Sequence, residues 1–386
     1  MKGFVVALLA KCMQIIAAIF RLFPLKKRVV LMSRQSSEPS ESYLILRDEL
    51  LKNLSSKQVV MCLCKPETKS SKGAFILGTL KQLFYASTSR FIIVDGYVPA
   101  VSIPKKPRKT AVMQTWHSMG AIKKFGYQCL DTPAGRTSAA AKAAHMHENY
   151  DIVAASGPGV ISVYAQAFNY PKTAVAPLGM LRMDYLLNED ASKIRKENFA
   201  KACEAHPYLC GEENVIIYAP TLRKGEGYEN WIEKNLHALA SACLQDCTLV
   251  YCGHPLENDA AASLEEEFNC LHIVHDFATI DVLEAAHTVI TDYSAIAFDA
   301  AMLNKNTIFY VPDIDKYKKS PGLNIDLGDS SICFASKDAH KIMEVAAQNE
   351  HEGFKAWLDF CNKYFEGITP NVAQRYCEII IKHLQQ

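Results

Sequence analysis

Four short runs of this chain carry side chains able to move a proton or hold a phosphate. In the first, Gln114-Thr115-Trp116-His117-Ser118 leads into Met119-Gly120-Ala121-Ile122-Lys123-Lys124-Phe125-Gly126. A strand-like run delivers an imidazole, which takes a proton from an attacking hydroxyl near neutral pH. Lys123 and Lys124 then follow as phosphate-holding cations. A structural histidine at a strand end beside a solvated lysine pair fits the same residues. The second run, Tyr218-Ala219-Pro220-Thr221-Leu222-Arg223-Lys224-Gly225, opens a strand into a loop with Thr and Arg. An arginine fork suits phosphate oxygens, and an ordinary surface loop is the alternative. In the third, Tyr251-Cys252-Gly253-His254-Pro255, a strand brings His254 into a turn stiffened by Pro255. A lone His-Pro is usually structural. The fourth is Val289-Ile290-Thr291-Asp292-Tyr293-Ser294, with Asp299 in the helix beyond. Ser294 is placed as an N-cap, and the N–H groups after it suit a phosphate. A plain capped helix reads the same way. Asp313-Ile314-Asp315 and His145-x-His147 lack a trustworthy ligand spacing, so no metal and no cofactor is expected.

The elements that must position these residues alternate along the chain. Strand-like runs, apolar on both faces, lie at 29–33, 59–64, 91–95, 111–115, 151–155, 215–219, 248–252, 288–292 and 307–311, with helix-like stretches such as 41–53, 228–242, 296–303 and 337–348 between them. This alternation predicts an α/β fold with parallel sheets. A polar stretch between 190 and 213 marks the boundary between two doubly wound halves. The expected division is a membrane-interface helix over 1–28, an N-terminal α/β domain over 29–190, a C-terminal α/β domain over 191–352, and closing helices over 353–386 that pack back on the N-terminal domain. Two such halves would leave a cleft between strand C-terminal ends, where ligands bind.

The chain has 386 residues, 49% hydrophobic and 22% charged, a soluble composition that excludes collagen-like, disordered and coiled-coil classes. A net charge of +1 gives no field for nucleic acid. The balance hides an asymmetry. Residues 1–30 hold six basic side chains and no acid, which leaves 36 basic against 41 acidic elsewhere. Thirteen cysteines without a Cys-x-x-Cys pair predict reduced, buried thiols and a cytoplasmic setting. On a helix through residues 3–25, Lys11, Gln14 and Arg21 fall within roughly an 80° arc, and Phe4, Val5, Leu8, Leu9, Ile15, Ile16 and Ile19 occupy other faces. With Lys26-Lys27-Arg28 behind it, this segment predicts a helix lying in the interface of an anionic membrane. A spanning helix, a buried helix and a signal segment are the alternatives. The run Lys105-Lys106-Pro107-Arg108-Lys109 reads as a solvated basic loop that could help hold anionic lipid.

In combination the four runs resemble the CDP-glycerol glycerophosphotransferase family of teichoic acid and capsule synthesis. The family's Trp-His motif with following Lys and Gly resembles Trp116-His117 through Gly126. Its Tyr-Ala-Pro-Thr-x-Arg element matches 218–223, its His-Pro matches His254-Pro255, and its Thr-Asp-Tyr-Ser with a later Asp matches 291–294 and Asp299. Its Gly-x-Pro-Arg-x-Asp element resembles Gly179 through Arg182 and Asp184, with Leu181 in place of Pro; Pro321-Gly322 and Arg375 match late elements. Ser118 stands where the family usually has Gly, and the loop before the lysine pair is one residue longer.

The resemblance implies a GT-B-like pair of Rossmann-type domains facing a cleft, attached peripherally to the cytoplasmic face of the cell membrane. It implies transfer of glycerol phosphate from CDP-glycerol to a hydroxyl of a lipid-linked acceptor or growing chain, with release of CMP. His117 is the expected base. His254, Arg223, Thr221, Ser294, Lys123 and Lys124 are expected at the donor phosphates, Thr291 and Asp292 at the loop that presents them, and Arg182, Asp184, Asp299 and Arg375 among substrate-binding residues. CDP-ribitol is the alternative donor. A GT-B nucleotide-sugar glycosyltransferase and a non-catalytic membrane-associated binding module are the rival functions.

Overall fold

The computed structural model describes residues 2–65, 72–211, 214–223, 228–253 and 257–386. Lys224, Gly225, His254 and Pro255 therefore lie outside the described residues. All nine apolar runs form strands, and they build two parallel six-stranded sheets. The first sheet contains β1 (Lys26–Ser33), β2 (Val59–Leu63), β3 (Ser89–Val94), β4 (Ala111–Gln114), β5 (Ile152–Ala155) and β6 (Val175–Pro177), in the order β2-β1-β3-β4-β5-β6. The second contains β7 (Asn214–Tyr218), β8 (Cys247–Tyr251), β9 (Leu271–Ile273), β10 (Thr288–Thr291), β11 (Asn306–Tyr310) and β12 (Ala335–Ser336), in the order β12-β11-β10-β7-β8-β9. β6, β9 and β12 add to the nine expected strands; each has two or three residues, too few to show as an apolar run.

Side chains of successive strand residues point to opposite faces, so strands apolar throughout need cover on both sides. The second sheet shows this directly. Ile216, Tyr218, Leu249, Tyr251, Ile290 and Ile308 pack in one core with helices Trp231–Ser241 and Ala339–Ala346. Val215, Ile217, Val250 and Val289 pack in another with Ala202 of helix Lys193–Ala205. In each sheet the strand order reverses once, between β1 and β3 and between β7 and β10. The connections leave in opposite directions there, which opens a crevice at the strand C-terminal ends.

The chain divides into two compact units. One comprises Met1–Ser118, Lys124–Tyr185 and Phe365–Gln386; the other comprises Met119–Lys123 and Leu186–Tyr364. Helix Val372–Gln385 thus belongs with the first sheet, and helix Glu352–Tyr364 with the second.

Helix Lys2–Phe20 forms; of its polar stripe Lys11 and Arg21 are exposed, while Gln14 is partly covered. Gln14 Nε2 donates to the Ile103 carbonyl at 3.5 Å, Arg21 donates to the Lys105 carbonyl, and Ala10 and Ala17 are buried beside them. The opposite face is the apolar one, and Val5, Leu8, Leu9, Ile15 and Ile19 are each more than half exposed. Arg28, counted with the basic flank, is buried instead; it donates to Ser89 Oγ at 2.8 Å and lies 4.5 Å from the Tyr85 ring centroid. Among the described residues no helix is long and apolar enough to cross a membrane. Cys203 and Cys210 are joined in a disulfide, which corrects the expectation of thiols throughout. The short 3-10 turn Pro207–Cys210 folds back on the end of helix Lys193–Ala205 and brings their Cα atoms to 5.8 Å. Eleven cysteines remain free, most of them buried, with Cys12 exposed.

Candidate active site

In the first unit, His117 follows the C-terminal end of β4 because the backbone turns sharply at Trp116. Trp116 adopts φ +56°, a left-handed conformation costly for a bulky residue. Its N–H donates to Gln114 Oε1 at 2.8 Å, and its ring stacks on Phe125 at 4.7 Å with an edge contact to Phe168 at 5.3 Å. Gln114 is itself buried and donates to the Gly96 carbonyl at 3.0 Å. The turn leaves His117 exposed, with Nδ1 2.9 Å from the Asp95 carbonyl oxygen. A carbonyl only accepts, so Nδ1 carries the proton and Nε2 of the neutral ring is the basic nitrogen.

Asp95 stands where the order of the first sheet reverses, at the end of β3 beside β1. Burial pushes its carboxyl up to about 6, although hydrogen bonds from Ser33 and from its own backbone pull the other way. One of its oxygens is buried with no hydrogen-bond partner among the described residues. His147 is a core residue rather than a ligand: its Nδ1 lies 3.0 Å from Tyr150 Oη, and burial, with Arg136 nearby, lowers it to about 4.

In the second unit, the runs after β7 and β10 converge at the other order reversal. The Thr221 N–H donates to Asp292 Oδ1 at 2.8 Å, and Thr291 Oγ1 donates to the Ala219 carbonyl at 2.7 Å, which ties the two loops together. Arg223 lies between two carboxylates. Its Nη1 reaches Asp292 Oδ2 at 2.9 Å and the Thr221 carbonyl at 2.6 Å, and its Nε reaches Asp313 Oδ2 at 2.9 Å. Tyr293 and Tyr317, stacked at 3.7 Å, have their ring centroids 5.1 and 4.9 Å from the guanidinium carbon. Burial works against the Arg223 charge, but Asp292 and Asp313 outweigh it and hold the pKa above its ordinary value. The expected phosphate fork is thus spent on the protein, and Arg223 positions the two loops.

Lys123 is the cation with capacity to spare. The segment Met119–Lys123 is threaded into the second unit, with Met119 and Ile122 buried. Gly120 leaves no room for a side chain, since a Cβ there would sit 2.3 Å from the Phe298 ring. The Asn324 N–H donates to the Ile122 carbonyl at 2.7 Å, and Asn324 Nδ2 donates to the Lys123 carbonyl at 3.1 Å. The Lys123 ammonium has no ion-pair partner within 4.0 Å among the described residues. Burial lowers its pKa; Asp292 opposes that shift and Arg223 adds to it. Thr221 Oγ1 is likewise buried with no hydrogen-bond partner among the described residues. Ser294 Oγ accepts from the Ile296 N–H at 3.4 Å; helix Ile296–Met302 has only seven residues, and its N-cap is Ala295 rather than Ser294. Asp299 is buried in that helix. Lys124 is exposed and belongs to the first unit.

Asp184 and Arg375 form a separate structural latch in the first unit. The Asp184 carboxylate accepts from the N–H groups of Asn371, Val372 and Ala373 at 2.7–2.9 Å, so it caps helix Val372–Gln385. Arg375 donates to the carbonyls of Leu178 and Pro370, each at 3.1 Å. Gly179, at φ +86°, passes within 2.8 Å of Val372 Cγ2 when given a Cβ, so the turn needs glycine. Arg182 lies on helix Leu181–Leu187 in the same element. These contacts give Asp184 and Arg375 a part in closing the first unit.

The sequence pattern of the CDP-glycerol:poly(glycerophosphate) glycerophosphotransferases matches residues 15–382. The chain belongs to that family. It is 27% identical over 296 residues to a teichoic acid ribitol-phosphate primase of Bacillus spizizenii, covering 76% of this chain and 75% of the relative. It is 22% identical over 306 residues to a teichoic acid glycerol-phosphate primase of Bacillus subtilis, covering 78% and 77%. It spans 58% of a poly(ribitol-phosphate) polymerase of Bacillus spizizenii at 25% identity. Its fold is that of the wall teichoic acid polymerase TagF, with a TM-score of 0.70 at 16% identity over 100% of this chain and 98% of that one. This glycerophosphotransferase-family chain also shares the fold of the UDP-GlcNAc 2-epimerase of Neisseria meningitidis, at a TM-score of 0.58 and 13% identity over 92% of this chain and 99% of that one.

Several residues at these places escape sequence reasoning. The sequence assigns Asp313 no role; it accepts from Arg223, from Tyr293 Oη at 3.0 Å and from Tyr228 Oη at 3.2 Å, while Asp315 is exposed and paired with Lys337. Asp95 gave only a polar residue at a strand end, and its meaning depends on the strand order.

Proposed function

We propose that the chain transfers glycerol phosphate from CDP-glycerol to a hydroxyl of a membrane lipid-linked acceptor or growing polyol-phosphate chain, in teichoic acid or capsule-like polymer synthesis. The acceptor oxygen attacks the phosphorus that bears the glycerol. The bond from that phosphorus to the bridging oxygen breaks, and the bridging oxygen leaves with CMP. His117 Nε2 takes the acceptor proton. The observation that carries this assignment is the Nδ1 contact with the Asp95 carbonyl, which selects the tautomer a base requires. Negative charge grows on the departing CMP and calls for fixed cations and donors. Lys123 Nζ and Thr221 Oγ1 are the groups with capacity to supply them, with Ser294 beside them. His254 keeps the role the sequence gives it. Arg223, Thr291 and Asp292 hold the loops that present these groups.

CDP-ribitol is the second donor, favoured by the likeness to the ribitol-phosphate primase. The protein works at the cytoplasmic face of the membrane, held there by residues 1–28, whose helix turns Val5, Leu8, Leu9, Ile15 and Ile19 outward.

The test is CMP release by full-length protein, with CDP-glycerol and CDP-ribitol offered separately over a lipid-linked acceptor analogue. Removing a general base costs about 10²–10⁴ in rate. His117→Ala should lose that much with unchanged unfolding behaviour. UDP release from UDP-sugars without CMP release would move the chain to the glycosyltransferases.

A further inference from the structure

The first unit holds a polar hollow at the edge of its sheet opposite to His117. It measures about 500 Å³ and is lined at the N-terminal ends of β3, β4 and β5 by Phe91, Ala111 and Ile152 and by the end of helix Val372–Gln385. Its charged groups are Lys106, Arg108, Lys382 and Asp151, with His383. Its one acidic side chain is already committed: Asp151 pairs with Lys106 and accepts from the Val112 N–H at 2.7 Å, and Gln386 also lines the hollow. His383 Nε2 is held 3.1 Å from the Lys109 carbonyl. Arg108 and Lys382 are exposed and have no ion-pair partner among the described residues. A concave site with two uncommitted cations and a spent carboxylate fits a phosphate anion.

The same edge carries the apolar surface. Arg21 and Gln14 fasten helix Lys2–Phe20 to the carbonyls of Lys105 and Ile103, directly before the basic loop that supplies Lys106 and Arg108. Leu22 is 85% exposed and Phe23 53%, and exposed Lys26 and Lys27 follow at the start of β1. Apolar side chains joined to an uncommitted cationic hollow match a lipid, whose chains and phosphate lie side by side, better than a soluble anion.

We propose that this hollow binds the phosphodiester headgroup of an anionic phospholipid while the apolar face of helix Lys2–Phe20 lies in the bilayer. This deepens the membrane attachment proposed above and rests on it. The consequence is mechanical. Ala111 touches the hollow and β4 runs from there to Gln114, so at about 3.3 Å per residue the strand carries the chain on the order of 10 Å from the hollow before it reaches His117.

The experiment is flotation of full-length protein with phosphatidylcholine vesicles, with and without phosphatidylglycerol. Arg108→Ala/Lys382→Ala should bind the phosphatidylglycerol vesicles about 30-fold more weakly, the effect of two surface cations. Lys196→Ala/Lys201→Ala, the same charge change on the helix Lys193–Ala205, should bind like the parent. CMP release on a water-soluble acceptor should be unchanged in the hollow variant. Equal vesicle binding by the hollow and control variants would overturn the proposal. So would vesicle binding indifferent to both residues while soluble poly(glycerol phosphate) or inorganic phosphate binds at them, which would reassign the hollow to the product chain or to free phosphate. If the parent releases no CMP from either donor but binds vesicles through Arg108 and Lys382, the proposed reaction fails and the hollow stands.

Discussion

Replacing Asp95 with Asn should make the protein more stable, and the gain should depend on pH. The carboxyl is 8% exposed, and one oxygen is buried with no hydrogen-bond partner among the described residues. Burial raises its pKa from 3.8 to about 6. Below 3.8 both the folded and the unfolded chain are protonated, and the group contributes nothing. Between 3.8 and about 6 the unfolded chain gives up its proton first, so stability falls as pH rises. Above about 6 the full cost applies, and a shift of about two units corresponds to about 3 kcal/mol. Asn carries no charge to bury. It gives up the charge-assisted part of the bond from Ser33, about 1 kcal/mol, which leaves a net gain of about 2 kcal/mol at pH 7.5. The base is untouched, because His117 is held by the Asp95 backbone carbonyl. Urea unfolding of the parent and Asp95→Asn at pH 4.5, 6 and 7.5, with the transition of each unit fitted separately, reads the effect. An Asp95→Asn protein no more stable than the parent at pH 7.5, or a gain that does not shrink toward pH 4.5, would refute the reasoning.

Two further substitutions test the packing that places the site. Gly120→Ala puts a Cβ against the Phe298 ring and should cost about 1–3 kcal/mol, read as a lower urea midpoint for the second unit. Asp184→Ala removes the acceptor of three N–H groups at the start of helix Val372–Gln385. It should cost about 2–4 kcal/mol and raise amide hydrogen exchange through that helix; a loss of CMP release without faster exchange would instead make Asp184 a substrate ligand.

The long strands were legible because a strand buried on both faces leaves an unbroken apolar run, as at Val29–Leu31 or Val289–Ile290. β6, β9 and β12 left no such mark. Strand order is not written in the sequence at all. The motif residues Thr221 and Asp292 are 71 positions apart, and only the adjacency of β7 and β10 makes them hydrogen-bond partners. Asp95 depends on order in the same way. The N-terminal helix shows a different limit. A hydrophobicity pattern says that two faces differ, but not which one the fold covers, and here the covered face carries Ala10, Gln14 and Ala17. Asp184 and Arg375 look like ligands in sequence because helix caps and carbonyl clamps use the same residue types as phosphate and hydroxyl recognition.

Arg223 and Lys123 show why residue type alone could not assign the donor side. A guanidinium fork matches a carboxylate as well as it matches a phosphate, so an arginine beside buried acids is claimed by them. Asp292 and Asp313 do this for Arg223, and the rings of Tyr293 and Tyr317 close over it. Breaking that set would strand a buried charge, so the cluster resists rearrangement and suits a scaffold. Lys123 is the reverse case. Its ammonium is drawn into the second unit by a backbone fixed through Asn324, and burial lowers its pKa more than Asp292, which is not in ion-pair contact, raises it. A dianionic leaving group would supply that missing partner at the moment its own charge develops. If Lys123 serves the donor as proposed, a cation poorly compensated in the resting protein would gain most as charge develops, and differential stabilisation of that kind lowers a barrier, whereas equal binding throughout does not.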